Sequence, residues 1–295
     1  MPFRGSACSY GQFYVSIAPW KYTLRDTMST AIIRYFDEEH DEHGFVIGAD
    51  GRETEGLTYD NPYDYAQKVD TIRDGEDVLA YSLCGSLRHK SDTNGETTWS
   101  ISDDIKTAAA AISPSGARHL HEYATKLADE VNLRLNAAKS SGRLPEYPQD
   151  SGISDSVAGT LITEVFLDGY YSDTPCRATI TFRHNDQALA HPTVDIDDMR
   201  LFDVHGPRNI WYAFWDNPEF APYRPSVMRK YKSAEEIAAV MQGYIRACGS
   251  KEGRRLCETQ RLYETAHLTI GGHIHVAVVT PGNFSWVPGF EPKKL

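Results

Sequence analysis

The sequence predicts an α+β fold, a four-layer αββα sandwich in which helices enclose two antiparallel sheets. An early hairpin pattern has strands that are apolar on both faces, which is typical of strands in the middle of a sandwich. Along the chain the predicted elements follow the order strands, helix, strands, helix, strands, and this segregation favours sheets with helices packed outside. We expect one domain over residues 27–295, preceded by an extension over residues 1–26 that shows no clear periodicity.

The first predicted strands are those of this hairpin. Residues 30–36 are rich in β-branched and aromatic side chains, residues 37–43 form an acidic turn, and residues 44–50 form the second strand. Residues 68–72 and 78–85 predict two more strands separated by a polar turn.

Two helices are predicted. The polar stretch 87–102 predicts an exposed loop, and Ser113-Pro114 then predicts a helix start, because proline loses little at the first helical position. Apolar residues recur at steps of three and four in the following segment, which indicates one buried stripe: Leu120, Ala124, Leu127, Val131, Leu135 and Ala138. Ser233 and Glu236 form a capping-box pattern at the start of the second helix.

The remaining strand predictions lie in the second half of the chain. Residues 161–167 and 177–182 predict a pair of strands, and residues 273–280 and 284–287 predict a final hairpin. Residues 192–230 carry no clear pattern.

Composition and charge exclude several classes of protein. Thirty basic residues against forty-one acidic ones give a formal net charge of −11, which argues against nucleic acid or an anionic membrane as the main partner. Five scattered cysteines without paired spacing argue against a disulfide framework or a structural zinc site, and favour a reducing compartment. No apolar run approaches the roughly 20 residues of a membrane span, and no signal-peptide pattern is present, so we expect a cytoplasmic protein.

Five segments occur in the order found in one known family. They are Gly48-Ala49-Asp50-Gly51-Arg52-Glu53-Thr54-Glu55-Gly56, Gln67-Lys68-Val69, Ser82-Leu83-Cys84-Gly85-Ser86, Ile270-Gly271-Gly272, and Gly282-Asn283-Phe284-Ser285-Trp286-Val287. In these segments the chain resembles the proteasome β-subunit-like N-terminal-nucleophile hydrolases, the family of the 20S proteasome and of bacterial HslV-like enzymes. The resemblance covers about residues 27 to 287 and implies that residues 27–295 form one domain of this type.

The resemblance implies a threonine- or serine-type peptidase that cuts peptide or other amide bonds through an acyl-enzyme and requires no cofactor. A hydroxyl group is a poor nucleophile at neutral pH and needs a base within hydrogen-bond reach. In this family the base is the α-amine of the chain itself, whose ordinary pKa of about 8 suits the task.

Site residues carry over from the matching motifs. Asp50 would be the orienting aspartate, Lys68 the buried lysine, and Gly85 the donor of an oxyanion N–H. Thr54 would pair its backbone with an extended substrate, and Leu83 would form the floor of a modest apolar pocket.

The nucleophile stays open between Ser29 and Thr27. Thr27 lies four residues before Ala31, about where the family threonine precedes its small residue, whereas Ser29 follows Met28, whose removal would free the Ser29 amine. The length of the turn before Asp50 leaves the register across the hairpin uncertain by two residues.

Other features favour an alternative function. Alignment on the two glycines after Ile270 places this isoleucine where the family has a serine, so a catalytically inactive proteasome-like subunit with a structural or assembly role is the alternative. The resemblance also implies a homo-oligomer or a ring. Arg52 is expected to give structural support by bridging carboxylates near its loop.

A metal-dependent hydrolase is a third hypothesis. His273 and His275 alternate along a predicted strand and share one face. Catalytic zinc usually takes three protein ligands, and no third ligand is evident nearby, so we predict no metal site.

Overall fold

The computed structural model describes residues 30–55, 60–85, 87–90, 97–144, 160–184, 191–225, 233–258 and 270–293. Thr27, Ser29 and the predicted extension lie outside these residues. Within the described part of the chain, no helix has the length and apolarity that crossing a membrane requires.

Fourteen strands and five α-helices are described. The strands are β1 (Ile32–Tyr35), β2 (Phe45–Ala49), β3 (Glu53–Glu55), β4 (Asp60–Tyr63), β5 (Val69–Asp74), β6 (Asp77–Gly85), β7 (Arg88–Lys90), β8 (Thr97–Ser100), β9 (Thr160–Tyr171), β10 (Thr174–His184), β11 (Thr193–Ile196), β12 (Phe202–His205), β13 (His275–Thr280) and β14 (Asn283–Trp286). The helices are α1 (Ile101–Ile112), α2 (Leu120–Ser140), α3 (Arg208–Asp216), α4 (Ala234–Cys248) and α5 (Lys251–Glu258), and short 3₁₀ segments cover Glu38–His43 and Pro218–Tyr223.

Ten of these strands form two five-stranded antiparallel sheets. The first sheet has the order β12-β1-β2-β13-β14, and the second has the order β11-β10-β9-β6-β5. Helices α3 and α4 pack on the first sheet, α5 packs against α3 and α4, and α1 and α2 pack on the second sheet. Apolar side chains from both sheets fill the space between them, including Phe45, Ile47, Val78, Phe166 and Val279. The predicted four-layer αββα sandwich is therefore confirmed.

The two-sided apolarity of the first hairpin has a clear structural cause. In β2, Ile47 faces the opposite sheet, whereas Val46 faces the helices of its own side. Both are almost completely buried. A strand in this position has no solvent-exposed face, which explains its continuous apolar pattern.

Sequence reasoning missed helix α1. The stretch predicted as an exposed loop contains β7, β8 and the first residues of α1, and the Ser100 side chain caps that helix by accepting from the Asp103 N–H at 3.3 Å. The prediction of a helix start at Ser113-Pro114 is wrong, because Ser113 ends α1 and the next helix begins at Leu120. The exposed face of α1 is so polar that its short buried stripe was not recognised.

The other predicted helices agree with the structure. The apolar stripe predicted for α2 is buried against the second sheet. At the start of α4, Ser233 and Glu236 form the reciprocal hydrogen bonds of a capping box, at 3.3 and 3.0 Å. The segment without a clear pattern holds β11, β12 and α3.

Candidate active site

The candidate site begins at the residue that leads into β1. The Asp50 N–H donates to the Ala31 carbonyl oxygen at 3.0 Å, and the Ala31 N–H donates to Asp50 Oδ1 at 2.9 Å. These bonds extend the β1–β2 register, in which Ile32 lies opposite Ala49. Thr30 is consequently fixed beside the end of β2.

Lys68 connects Thr30 to Asp50. Its Nζ lies 3.0 Å from Asp50 Oδ1 and 3.4 Å from Thr30 Oγ1. All three side chains are buried, with residue exposures of 2% for Lys68, 0% for Asp50 and 6% for Thr30. The Leu83 N–H donates to the Lys68 carbonyl oxygen at 2.9 Å, which fixes the lysine backbone to β6. We call Thr30, Lys68 and Asp50 the buried triad.

The Asp50 carboxylate is surrounded by donors. Its Oδ2 accepts from the N–H of Arg52 at 3.3 Å and from the N–H of Gly271 at 3.2 Å. Burial raises the pKa of Asp50, and the Lys68 ammonium together with the N–H groups of Ala31 and Gly271 opposes that rise. Only the ionised carboxylate can accept from all these donors at once, so the geometry favours an ion pair with Lys68.

Cys84, at the end of β6, completes the surroundings of Thr30. Its thiol hydrogen-bonds the Thr30 side chain, and its carbonyl oxygen accepts from Thr163 Oγ1 at 2.9 Å. Burial and the nearby Glu164 carboxylate raise the pKa of the Cys84 thiol to about 12. Cys84 therefore stays protonated at neutral pH. The next residue is Gly85, with a φ of +112° that strongly favours glycine.

Arg52 lies behind the triad. Its guanidinium donates to Asp64 through Nε at 2.6 Å and through a terminal nitrogen at 3.2 Å. Gly271, whose φ is +151°, packs directly on that guanidinium, and an added Cβ would lie 3.0 Å from Arg52 Cζ. A glycine here allows the backbone to approach Asp50 and Arg52 together.

The structure thus brings Asp50 and Lys68 together and places Gly85 next to a residue that touches Thr30. The Leu83 side chain faces the other side of β6 and is buried in the core beneath α1 and α2. Thr54 lies within β3, and its side chain is not described. The substrate roles of Leu83 and Thr54 stay predictions, as do those of Ser29 and Thr27.

Sequence reasoning did not identify Thr30. The spacing to Ala31 indicates Thr27 and the preceding Met28 indicates Ser29, whereas Thr30 falls within the predicted strand 30–36. The signal that identifies it is the pairing register, because the Asp50 N–H donates to the Ala31 carbonyl oxygen and the Asp50 carboxylate accepts from the Ala31 N–H. The 3₁₀ segment Glu38–His43 lengthens the turn and conceals this register in the sequence.

The two histidines of the metal hypothesis lie close together. The His273 and His275 rings are 5.0 Å apart and nearly perpendicular, and His273 Nε2 lies 2.6 Å from the Glu291 carbonyl oxygen. Within the described ranges, no group of three or more His, Cys, Asp or Glu side chains could hold a metal ion. Burial, with the nearby His273 and Lys68, lowers the pKa of His275 to about 4.

No family model and no curated protein matches the chain. It is similar to solved structures of Anbu proteins. They include an Anbu Gly-1 mutant from Hyphomicrobium sp. strain MC1, with 16% identity, coverage of 88% of this chain and 85% of that chain, and a TM-score of 0.43. Anbu (ancestral beta-subunit) from Yersinia bercovieri has 12% identity, coverage of 89% of this chain and 89% of that chain, and a TM-score of 0.42. The helical assembly of the Anbu complex from Pseudomonas aeruginosa has 12% identity, coverage of 88% of this chain and 86% of that chain, and a TM-score of 0.42.

These comparisons correct the family expected from the sequence. The assignment to the 20S proteasome β-subunit and HslV-like family is wrong, because no family model matches and the structural neighbours are Anbu proteins. The motifs on which that assignment rests are centred on glycines. Glycines occur wherever turns and close backbone approaches require them, and different families can share such features.

Proposed function

We propose that this chain is an amide hydrolase of the N-terminal-nucleophile type, in which Thr30 becomes the nucleophile after cleavage of the Ser29–Thr30 peptide bond. One observation carries the proposal: Lys68 Nζ lies between the Asp50 carboxylate and the Thr30 hydroxyl in a buried cluster. A buried lysine beside a hydroxyl, held by a carboxylate, is a known way to activate a nucleophile.

The reaction follows from this arrangement. The freed Thr30 α-amine accepts the hydroxyl proton while Oγ1 attacks the carbonyl carbon of the substrate amide. The amine leaving group departs with that proton, leaving an ester on Thr30. Water then attacks the ester, releases the carboxylic acid and returns the proton to Oγ1. The positive charge of Lys68 favours the neutral α-amine and stabilises the developing alkoxide.

Other residues have supporting roles in the proposal. The Gly85 N–H would donate to the oxyanion, since its neighbour Cys84 touches Thr30. Thr54 would pair with an extended peptide or another amide substrate. This chemistry needs no cofactor.

Intact mass and covalent labelling test the assignment of the nucleophile. We expect the intact mass of the purified protein to show the loss of residues 1–29. After incubation with a β-lactone inhibitor, the mass should increase by one adduct, located on Thr30. Thr30→Ala and Lys68→Met should abolish labelling, Thr30→Ser should keep part of it, and the matched controls Thr27→Ala and Ser29→Ala should still be labelled. Labelling that survives Thr30→Ala but is lost in either control would contradict the proposal.

A second candidate is an inactive subunit with a structural or assembly role. Ile270 favours it, because this residue adjoins Gly271 at the back of the triad, is 1% exposed and has no side-chain hydrogen-bonding group. A full-length chain that is never labelled but self-associates in analytical ultracentrifugation would support this function. We expect self-association under either function.

A further inference from the structure

His275 is a buried histidine that the proposed chemistry does not use. It begins β13 opposite Ala49 of β2, and it is 0% exposed. Ala49 and Ala277 both face the space between the sheets, and side chains alternate along a strand, so the His275 ring faces that space as well.

Both ring nitrogens of His275 lack a hydrogen-bond partner among the described residues. A neutral imidazole carries one N–H donor and one acceptor nitrogen. A buried polar atom without a hydrogen bond destabilises the folded state, so two such atoms on one ring call for a bound partner. The described neighbours of the ring, His273 at 5.0 Å and Trp286 at 6.4 Å between centroids, make ring contacts.

Lys68 offers a complementary group. An ammonium has three N–H donors, and the hydrogen bonds to Asp50 and Thr30 use two of them. His275 lies directly opposite Ala49, and Lys68 bonds the next residue, Asp50, so the imidazole and the ammonium both lie beside the end of β2. An acceptor nitrogen and a donor N–H, both buried at the same site, can be joined by one water molecule.

We propose that His275 is a positioning residue of the Thr30 site, which accepts a hydrogen bond from Lys68 through a buried water and so holds the ammonium against Asp50 and Thr30. Its catalytic consequence rests on the proposed function, but the water bridge itself does not.

Crystal structures test the bridge without any assay of activity. In the wild type we expect an ordered water within hydrogen-bond distance of both Lys68 Nζ and a His275 ring nitrogen. His275→Gln keeps a donor and an acceptor and should retain the water, whereas His275→Leu should lose it and let Lys68 move away from Thr30. His275→Met replaces the leucine variant if that variant does not fold. A ring bonded directly to protein at both nitrogens, or an unmoved Lys68 in the apolar variant, would overturn the proposal.

Labelling kinetics test the catalytic consequence. We expect His275→Leu to slow Thr30 labelling about tenfold, the effect of one lost hydrogen bond at the site. His275→Gln should stay within about threefold of the wild type by the same reasoning, and His273→Gln is the matched control on the neighbouring histidine. Equal losses in the glutamine and leucine variants would refute positioning by His275. A wild type that is never labelled would refute the proposed hydrolase and leave the crystallographic result standing.

Discussion

At the scale of single residues, the Asp50 side chain accepts four hydrogen bonds within the site. Its two oxygens accept from the N–H groups of Ala31, Arg52 and Gly271 and from the Lys68 ammonium. These four donors belong to separate parts of the fold: the start of β1, the loop after β2, the segment before β13 and the start of β5. One carboxylate therefore fixes the relative positions of all the backbone segments around Thr30.

His275 makes the stability of the protein depend on pH. Its pKa is about 4 in the folded protein, because of burial and the nearby His273 and Lys68, against 6.5 for an ordinary histidine. The unfolded chain binds the proton more readily, so stability is fully present above about pH 6.5 and falls as the pH drops towards 4. The shift corresponds to about 3 kcal/mol.

Chemical denaturation checks this expectation. Between pH 7 and pH 4 we expect the free energy of unfolding to fall by about 3 kcal/mol more for the wild type than for His275→Gln, which does not titrate. Parallel pH profiles for the two proteins would show that His275 is not held neutral.

The residues of the site could be predicted from the sequence only where they belong to a recognisable motif. Asp50 and Lys68 were proposed from motifs, and the structure brings their charges to 3.0 Å. Thr30 could not be identified in this way, because nothing in the residue itself distinguishes a threonine at a strand start from one at a catalytic position. The place of Thr30 beside Asp50 depends on the pairing register of β1 and β2, and the irregular turn between these strands sets that register. A slip of one residue would reverse which side chains face inward.

At the scale of elements, the approach of α4 to the 3₁₀ segment Pro218–Tyr223 depends on one glycine. A Cβ added at Gly243 would overlap the Tyr223 carbonyl oxygen and lie 3.1 Å from Phe214 Cζ. Backbone atoms cannot rotate away as a flexible side chain can. The absence of a side chain at this position lets the two segments pack with Phe214 between them.

Gly243→Ala is therefore expected to destabilise the protein by about 1–3 kcal/mol, although alanine is the better helix former by about 1 kcal/mol. Gly249→Ala is the matched control, since its added Cβ would lie 3.8 Å from the Arg246 carbonyl oxygen and its φ of −81° suits any residue. Equilibrium unfolding of both variants measures the difference. Equal stabilities would show that the segments can separate at no cost.

The size of the buried apolar face decided which helices were predictable from the sequence. Helix α2 buries eight residues, including all six of the predicted stripe, and this is enough to give a clear period over its 21 residues. Helix α1 spans 12 residues and buries Ile101, Ile105, Ala108 and Ala109, and two of these four are alanines with little apolar signal. Short helices with small buried faces depend on tertiary packing, which the local sequence records poorly.

At the scale of the whole molecule, a buried ionic network joins the two sheets. Arg34 of β1 donates to Asp168 of β9 at 2.9 Å and to Asp197 and Asp203 at 2.9 and 2.8 Å. Arg177 of β10 donates to Asp168 at 2.9 Å. Burial opposes the charge of Arg34, but the three carboxylates hold its pKa above the usual range. The sandwich was predictable from apolar patterning. This network was not, because Arg34 and Asp168 lie 134 residues apart and only the tertiary fold brings them together.

Asp168 is the member whose loss should affect the whole fold. It is 0% exposed and pairs with both arginines, so Asp168→Asn leaves two buried guanidinium groups short of a counter-charge. Removing one partner of a buried ion pair typically costs about 3–5 kcal/mol, whereas exposed pairs contribute less than about 1 kcal/mol. The exposed pair of Arg254 and Glu258 provides the control, Glu258→Gln. We expect guanidinium denaturation to show a large loss of stability for the first variant and almost none for the second. A small loss for Asp168→Asn would mean that Asp197 and Asp203 suffice for Arg34, and that the charge of Asp168 is not needed to join the sheets.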